Sequence, residues 1–172
     1  MYKQYFDILS EKEYLKCKEI IDNSLWKYGQ VSNPNSNCKF WMIQNLHTNS
    51  FFHNIFIEKI EKLTNNKFEI NRIYANGQTF GQEGDWHIDS NSEDAWTFLY
   101  YFNKGDISTI GETYFKNNDI INMVNPTYNS GIYFKSNIEH KGSSPKIDFN
   151  DLRITIAFKL KLTKLKLDKT II

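Results

Sequence analysis

The sequence predicts a mainly β protein, with N-terminal helices packed on one sheet of a jelly-roll barrel. Two helical patterns come first, and the chain then changes to short runs that are rich in β-branched and aromatic residues. Gly, Asn, Asp or Pro residues separate these runs, as expected for antiparallel strands joined by turns. Helices followed by many short strands favour two packed sheets. The predicted strands cover residues 67–75, 95–103, 111–116, 119–124, 131–135 and 151–162.

The first 66 residues contain the signals for both helices and for one further strand. Ser10 and Glu13 form a capping-box pattern, which predicts a helix over 11–28 with Ser10 as its N-cap. The apolar positions of this helix follow at helical spacing, at Cys17, Ile20, Ile21 and Leu25. A strand is predicted over 39–46, and a second helix over 50–63 ends at two asparagines.

Length and charge limit the function classes. A chain of 172 residues is long enough for one domain with a full core. We divide it into supporting helices and strands (1–66), the jelly-roll core (67–162) and a C-terminal tail (163–172). The net charge of +1 gives no strong nucleic-acid signal, and no apolar run reaches membrane-spanning length. Two cysteines and the lack of an apolar signal region favour a soluble, cytoplasmic protein.

The last predicted strand has two faces of different character. Alternate side chains project to opposite sides of a strand. One face is apolar enough to pack under a helix, with Ile154, Ile156, Phe158 and Leu160. The other face points into the barrel and carries Arg153, Thr155, Ala157 and Lys159. Because a buried, unpaired arginine is costly, we expect Arg153 to have an anionic partner there.

A candidate metal site follows from three further residues. On a strand, His87 and Asp89 would project from the same face and could share one ion. His140 offers a third ligand farther along the chain. Two histidines and one carboxylate form the facial triad of non-haem Fe(II) sites, which leaves coordination positions open. A His-x-Asp pair alone often arises by chance, so the prediction depends on the order of all three ligands and Arg153.

These residues and their surroundings resemble the Fe(II)- and 2-oxoglutarate-dependent oxygenases, specifically the prolyl-4-hydroxylase-like branch. The resemblance covers about residues 67 to 162. It runs, in the family's order, through RIYANG, HID, WTFLYYFN, GETYF, GIYF, EHKGSSP and RITIAFKL. The fold of this family is a double-stranded β-helix, which agrees with the jelly-roll barrel predicted from the strand pattern.

The resemblance implies a role for each matching residue. His87, Asp89 and His140 match the iron ligands, which leaves no separate catalytic side chain to assign. Four residues match positions that bind the cosubstrate, namely Arg153, Tyr101, Thr155 and Tyr74. Arg153 would pair with the distal carboxylate of 2-oxoglutarate, where prolyl hydroxylases often have lysine. The alternative for both tyrosines is packing, which is the commoner role of a tyrosine on a core strand.

The resemblance also implies a reaction, and it leaves the substrate open. Fe(II), 2-oxoglutarate and O2 would hydroxylate an aliphatic C–H group with release of succinate and CO2, and ascorbate would stimulate turnover. The first candidate substrate is a prolyl residue in a peptide or protein, and the second is a free amino acid or another small molecule. A nucleobase is disfavoured by the neutral charge, although Lys159 lies where alkylation-repair members have a second arginine. The non-enzymatic alternative is a jelly-roll metal-binding module.

Two glycine-containing stretches near the site have structural interpretations. Residues 76–85 contain several glycines before His87 and are a candidate mobile lid. Gly111 and Glu112 resemble the family's Gly-Gly turn, with Ile110 in place of the first glycine. We interpret Gly111 as a bend that needs no side chain.

Overall fold

A computed structural model describes residues 2–163 and contains a large antiparallel sheet and a small one. The large sheet has the strand order β1-β8-β5-β10-β4-β3-β2, and the small sheet has the order β7-β6-β9. The strands in chain order are β1 (Tyr2–Tyr5), β2 (Lys27–Gln30), β3 (Phe40–Ile43), β4 (Phe68–Gln78), β5 (Ala95–Tyr101), β6 (Thr113–Asn117), β7 (Ile120–Val124), β8 (Ser130–Lys135), β9 (Glu139–Gly142) and β10 (Arg153–Leu162). The mainly β class is confirmed, and most of the predicted C-terminal tail lies outside the described residues.

The helices are α1 (Glu11–Asp22), α2 (Ile57–Thr64) and the short α3 (Ile107–Ile110). The predicted capping box is present at the start of α1, where the Ser10 side chain accepts from the Glu13 amide. A π-helical segment, Phe51–Phe56, runs directly into α2. No helix within residues 2–163 is long and apolar enough to cross a membrane.

The predicted extent of the first helix, 11–28, is wrong, because α1 ends at Asp22. The Asn23 amide side chain donates to the carbonyl of Glu19, and the Ser24 hydroxyl donates to the carbonyl of Ile20. These side chains satisfy carbonyls of the last turn, which ends the helix there. Leu25 is 75% exposed and takes no part in the helix face to which its spacing assigned it.

The helices pack on one face of the large sheet, as the sequence predicted. On β10, Ile156, Phe158 and Leu160 are fully buried in this main core. The ring of Phe158 lies 4.7 Å from that of Phe56, centroid to centroid. This core therefore fixes the orientation of β10, whose alternate residues face the other way.

The opposite face of the large sheet is turned toward the small sheet. A second buried cluster contains residues of both sheets, namely Tyr101, Phe115, Val124, Ile132 and Phe134. β10 lies in the middle of the large sheet, between β5 and β4, so its ladder aligns both neighbours. The side chains of Arg153, Thr155, Ala157 and Lys159 line a cavity on this face.

Some strands differ from their predicted bounds. The strand predicted over 39–46 is shorter, since β3 ends at Ile43 and a 3-10 turn (Leu46–Thr48) follows. β1, β2 and β9 have four residues each and were not predicted. Of the candidate lid, residues 76–78 belong to β4, and the remaining residues lie in the segment that follows it.

Candidate metal centre

Three potential ligands converge at one end of the cavity. His87, Asp89 and His140 each offer one ligand atom, and these atoms lie within 4.8 Å of one another. The Nε2 atom of His87 is 3.7 Å from Asp89 Oδ1, and the Nε2 atom of His140 is 3.6 Å from Asp89 Oδ2. The structure thus brings together the three residues that the sequence singled out.

The backbone that presents these ligands differs from the prediction. His87 and Asp89 were expected on a strand, but they lie in the irregular segment between β4 and β5. His87 instead pairs with His140 of β9 in an isolated bridge, with N–O distances of 3.0 and 2.9 Å. The Asp89 amide donates to the Ser136 carbonyl at 2.8 Å. Backbone hydrogen bonds to Ser136, directly after β8, and to His140 of β9 therefore orient the ligands, in place of a regular strand.

Both imidazoles are held by backbone carbonyls through the ring nitrogen that faces away from the site. His87 Nδ1 is 2.8 Å from the Asp85 carbonyl, and His140 Nδ1 is 2.9 Å from the Ile138 carbonyl. A carbonyl only accepts, so Nδ1 carries a proton in both rings, and the neutral form of each ring has its lone pair on Nε2. Burial lowers the pKa of His140 to about 4, so this ring is neutral at pH 7. Neutral imidazoles with free Nε2 atoms are suited to metal binding.

Asp89 is buried and ionised because two neighbours stabilise its charge. Burial acts to raise the pKa of Asp89, but the charge of Lys159 and the hydrogen bonds from Lys159 and Thr97 act together to hold this pKa well below its usual range. Lys159 Nζ forms an ion pair with Asp89 Oδ2, and the Thr97 hydroxyl donates to the same oxygen at 2.7 Å. Lys159 and Thr97 thus hold Oδ2 in place, while Oδ1 faces His87.

Arg153 lies at the first residue of β10 with 2% of its surface exposed. Its guanidinium donates to Gln78 Oε1 at 2.7 Å and to the carbonyls of Gly111 and Glu112 at 3.1 and 3.4 Å. Burial lowers the pKa of Arg153, but an arginine stays charged in proteins. Within residues 2–163 no carboxylate lies at ion-pair distance, so the expected anionic partner is not a described residue of the chain.

Glycines let the backbone approach this guanidinium closely. A Cβ atom on Gly142 would stand 3.4 Å from Arg153 Nη1. Gly111 has a φ of +90°, and a Cβ there would lie 2.6 Å from the Ser144 carbonyl oxygen. Gly111 is therefore a bend that excludes a side chain, as the sequence indicated, and its carbonyl also accepts from Arg153.

Unpaired polar groups lie close to the arginine. The hydroxyls of Tyr101 and Thr113 are buried and have no hydrogen-bond partner among the described residues. Burial raises the pKa of Tyr101, and the adjacent Thr113 hydroxyl and the Arg153 charge act to lower it. Tyr101 pairs with Thr155 across the β5–β10 ladder, although Tyr101 itself does not line the cavity. Such groups suit a polar ligand, because burying them unpaired is costly.

The cavity extends from the arginine to the metal-ligand end, with a volume of about 210 Å³. Thr155 and Tyr74 both line it, on β10 and β4. Tyr74 is 7% exposed, and its ring lies under the guanidinium of Arg72 at 4.3 Å and near Lys159 Nζ at 5.7 Å. Apolar wall positions are contributed by Phe40, Met42, Leu99, Phe134 and Ala157.

Sequence reasoning missed several residues of the site. Gln78 and Thr113 were not singled out, although their position at the end of β4 and the start of β6 places them beside Arg153. Lys159 was considered only as a counterpart of a second arginine, and its ion pair with Asp89 was not expected. The alternation along β10 was the one signal for Lys159, since it places this lysine on the same face as Arg153.

Comparison with known proteins finds likeness in structure rather than in sequence. No protein-family model and no curated protein matches the sequence. An oxidoreductase of the 2OG-Fe(II) oxygenase family from Burkholderia pseudomallei has a TM-score of 0.73 and 9% identity, over 93% of this chain and 84% of that chain. A Trichoplax adhaerens prolyl hydroxylase, in complex with a peptide of hypoxia inducible factor, has a TM-score of 0.67 and 14% identity, over 93% and 83%.

A third neighbour catalyses a different reaction on the same fold. The non-heme α-ketoglutarate-dependent epimerase SnoN of nogalamycin biosynthesis has a TM-score of 0.70 and 8% identity, over 92% of this chain and 76% of that chain. A prolyl hydroxylase and an epimerase are thus both similar in fold to this chain, so the fold alone does not fix the reaction. The chain therefore has the jelly-roll fold of the 2OG-Fe(II) oxygenases.

Proposed function

We propose that the protein is a dioxygenase that uses Fe(II), 2-oxoglutarate and O2 to hydroxylate an aliphatic C–H group. The observation that carries this proposal is the pairing, in one cavity, of the His87–Asp89–His140 cluster with a buried arginine that has no described anionic partner. The likeness to 2OG-Fe(II) oxygenases supports it at the level of fold.

The residues present fit the metal. His87 and His140 would bind Fe(II) through Nε2, and Asp89 would bind through Oδ1 while Lys159 and Thr97 hold Oδ2. Two nitrogens and one oxygen form the donor set of non-haem Fe(II) sites with open positions. The Nδ1 contacts to backbone carbonyls would keep the ring planes fixed during ligand exchange.

The residues also fit 2-oxoglutarate. Arg153 would bind the distal carboxylate, because a guanidinium offers paired donors to a carboxylate. Tyr101 and Thr113 would supply their unpaired hydroxyls to the same end of the cosubstrate. When bound, Fe(II) and 2-oxoglutarate supply the oxidation, in which one O2 oxygen enters the substrate and the other enters succinate as CO2 leaves.

The chain itself would position the reactants and exclude water. The apolar wall of the cavity, with Met42, Leu99 and Phe134, would hold a C–H bond beside the metal end. No titrating side chain is required to move a proton in this scheme. A prolyl residue in a peptide or protein is the first candidate substrate, on the resemblance in sequence and the prolyl hydroxylase neighbour.

The test is substrate-stimulated succinate formation from 2-oxoglutarate in the presence of Fe(II), ascorbate and O2. Proline-containing peptides, free amino acids and methylated oligonucleotides would be compared, with product mass read by mass spectrometry. We expect a mass gain of about 16 Da, one oxygen atom, on a peptide or an amino acid. Demethylation of oligonucleotides alone would contradict C–H hydroxylation of proline. A protein that binds metal yet forms no succinate with any substrate would favour the metal-binding module.

A free amino acid or another small molecule is the second candidate substrate. The observation that favours it is a pair of cations, Arg72 and Lys159, on the cavity wall at the metal-ligand end. A prolyl residue inside a peptide carries no negative group to match them, whereas a free amino acid does.

A further inference from the structure

We propose that the substrate is a small molecule with an anionic group, a carboxylate or a phosphate, that Arg72 and Lys159 bind. This inference rests on the proposed function and names the class of substrate for the same site. It concerns the end of the cavity away from Arg153, where the sequence assigned residues to the metal and the cosubstrate and none to the substrate.

Arg72 and Lys159 are direct neighbours across the β4–β10 ladder, where they are register partners. Their side chains lie on the cavity face, since both residues line it. Like charges directly opposite one another in an antiparallel pair are destabilising. Asp89 offsets the charge of Lys159 in the free protein, whereas the charge of Arg72 has no such partner among the described residues.

The two cations differ in what they bind already. Lys159 is 15% exposed in its side chain and forms an ion pair with Asp89. Arg72 is exposed, and its guanidinium stacks on the ring of Tyr74 at 4.3 Å. This guanidinium forms no hydrogen bond and no ion pair with any residue of 2–163. Stacking fixes the plane of the guanidinium and leaves its edge, with five N–H donors, free for a ligand.

The charge of the full site also favours an anion. Among the described residues that line the cavity, the cations are Arg72, Arg153 and Lys159, and Asp89 is the one carboxylate. The two positive charges of Fe(II) and the two negative charges of 2-oxoglutarate cancel, which leaves an excess of two positive charges. A neutral C–H substrate would leave this excess unchanged, and an anionic one would reduce it.

A second cavity, of about 280 Å³, continues the site on the other side of these cations. It shares Arg72, Lys159 and Asp89 with the first cavity. Its other polar wall residues are Asn71, Ser90 and Ser136, which could donate to the same anionic group. The space for the anion therefore lies next to Asp89, one of the three candidate metal ligands.

The experiment measures anion binding by NMR in protein loaded with Zn(II) and 2-oxoglutarate, in which no turnover occurs. Backbone amide signals of residues 71–73 would be followed during titration with acetate, inorganic phosphate, L-proline and L-prolinamide at constant ionic strength. The last two compounds share one skeleton and differ in the carboxylate. We expect saturable shifts with the anions and with proline, and none with prolinamide. The dissociation constants of acetate and of phosphate show whether the site prefers a carboxylate or a phosphate.

The variants are Arg72→Gln on β4 and, as matched control, Lys161→Gln on the adjacent strand β10. Lys161 is exposed, lies 3.7 Å from Glu69 and lines neither cavity. We expect the dissociation constant of the anion to rise about tenfold to a hundredfold in Arg72→Gln, and to stay unchanged in Lys161→Gln. Equal constants in all three proteins, or shifts that never saturate, would overturn the proposal.

Two further outcomes separate this inference from the proposed function. Failure of 2-oxoglutarate to bind the Zn(II) protein would count against the dioxygenase, while the amides of residues 71–73 would still report on their own anion site. Saturation of these signals by an oligonucleotide at a far lower concentration than by any small anion would replace the small-molecule substrate with a nucleic acid.

Discussion

Replacement of Arg153 by leucine should abolish tight binding of 2-oxoglutarate and leave the protein folded. A guanidinium has five N–H donors, and three of them are used by Gln78, Gly111 and Glu112. Two donors therefore remain for a carboxylate. At about 1.5 kcal/mol for each hydrogen bond to a charged group, their loss costs about 3 kcal/mol, or roughly a 150-fold rise in the dissociation constant.

The stability of the ligand-free variant should change far less, because two effects oppose one another. Leucine leaves three buried acceptors without their donor, at about 1–3 kcal/mol each. It also removes a buried charge that has no described counter-ion, which is worth several kcal/mol in the other direction. We expect the free energy of unfolding in urea to stay within about 2 kcal/mol of the wild-type value.

Calorimetric titration of the Zn(II)-loaded protein with 2-oxoglutarate measures the effect on binding. Arg153→Lys is the matched control, because it keeps the positive charge and loses the paired N–H donors of the guanidinium. Its affinity for 2-oxoglutarate should lie between those of wild type and Arg153→Leu. A folded Arg153→Leu protein that binds 2-oxoglutarate within threefold of wild type would contradict this prediction. Lys159 would then be the candidate for the carboxylate.

Three further predictions concern the metal ligands and the frame that holds them. Thr97→Val removes the hydroxyl that donates to Asp89 Oδ2, and Zn(II) affinity in chelator competition should fall about tenfold to a hundredfold; unchanged affinity would remove Thr97 from the support of the metal. Phe158→Ala should cost about 3–5 kcal/mol in urea unfolding, since its ring is fully buried in the main core, and a loss below about 1 kcal/mol would argue against that packing. Ser10→Ala should cost about 1 kcal/mol by breaking the capping box, whereas Ser10→Asp should retain most of the stability.

Local patterns predicted the parts of the fold that depend on local physics. The capping box at Ser10 and Glu13 marks the start of α1, because both hydrogen bonds join residues three positions apart. Period-two alternation along β10 placed Arg153 and Lys159 on one face and Phe158 on the other, since a strand allows no other arrangement.

Other features depend on contacts between distant parts of the chain, and the sequence carries little sign of them. His87 and Asp89 follow no strand pattern, because β9 and the end of β8 determine their position. The pairing of Lys159 with Asp89 joins residues 70 positions apart. Arg72 meets Lys159 only through the register of β4 and β10, which a sequence pattern does not fix.

The roles of the seven site residues stay predictions, although six of them line one cavity and Tyr101 lies next to Thr155 on the neighbouring strand. Their assignment came from the resemblance to the 2-oxoglutarate oxygenases, and the geometry adds the unpaired groups that a ligand would satisfy. Tyr74 lines the cavity, as a cosubstrate-binding residue would, but its ring lies against the cations Arg72 and Lys159. Its position alone therefore does not assign its role. That position suits the proposed anion site as well as the cosubstrate.

The most direct test of the account is a crystal structure of the protein grown anaerobically with Fe(II) and 2-oxoglutarate, with anomalous diffraction measured at the iron edge. The account predicts one iron peak bound by His87 Nε2, His140 Nε2 and Asp89, with the distal carboxylate of 2-oxoglutarate on Arg153. Iron at any other place, or a cosubstrate carboxylate that does not contact Arg153, would contradict it.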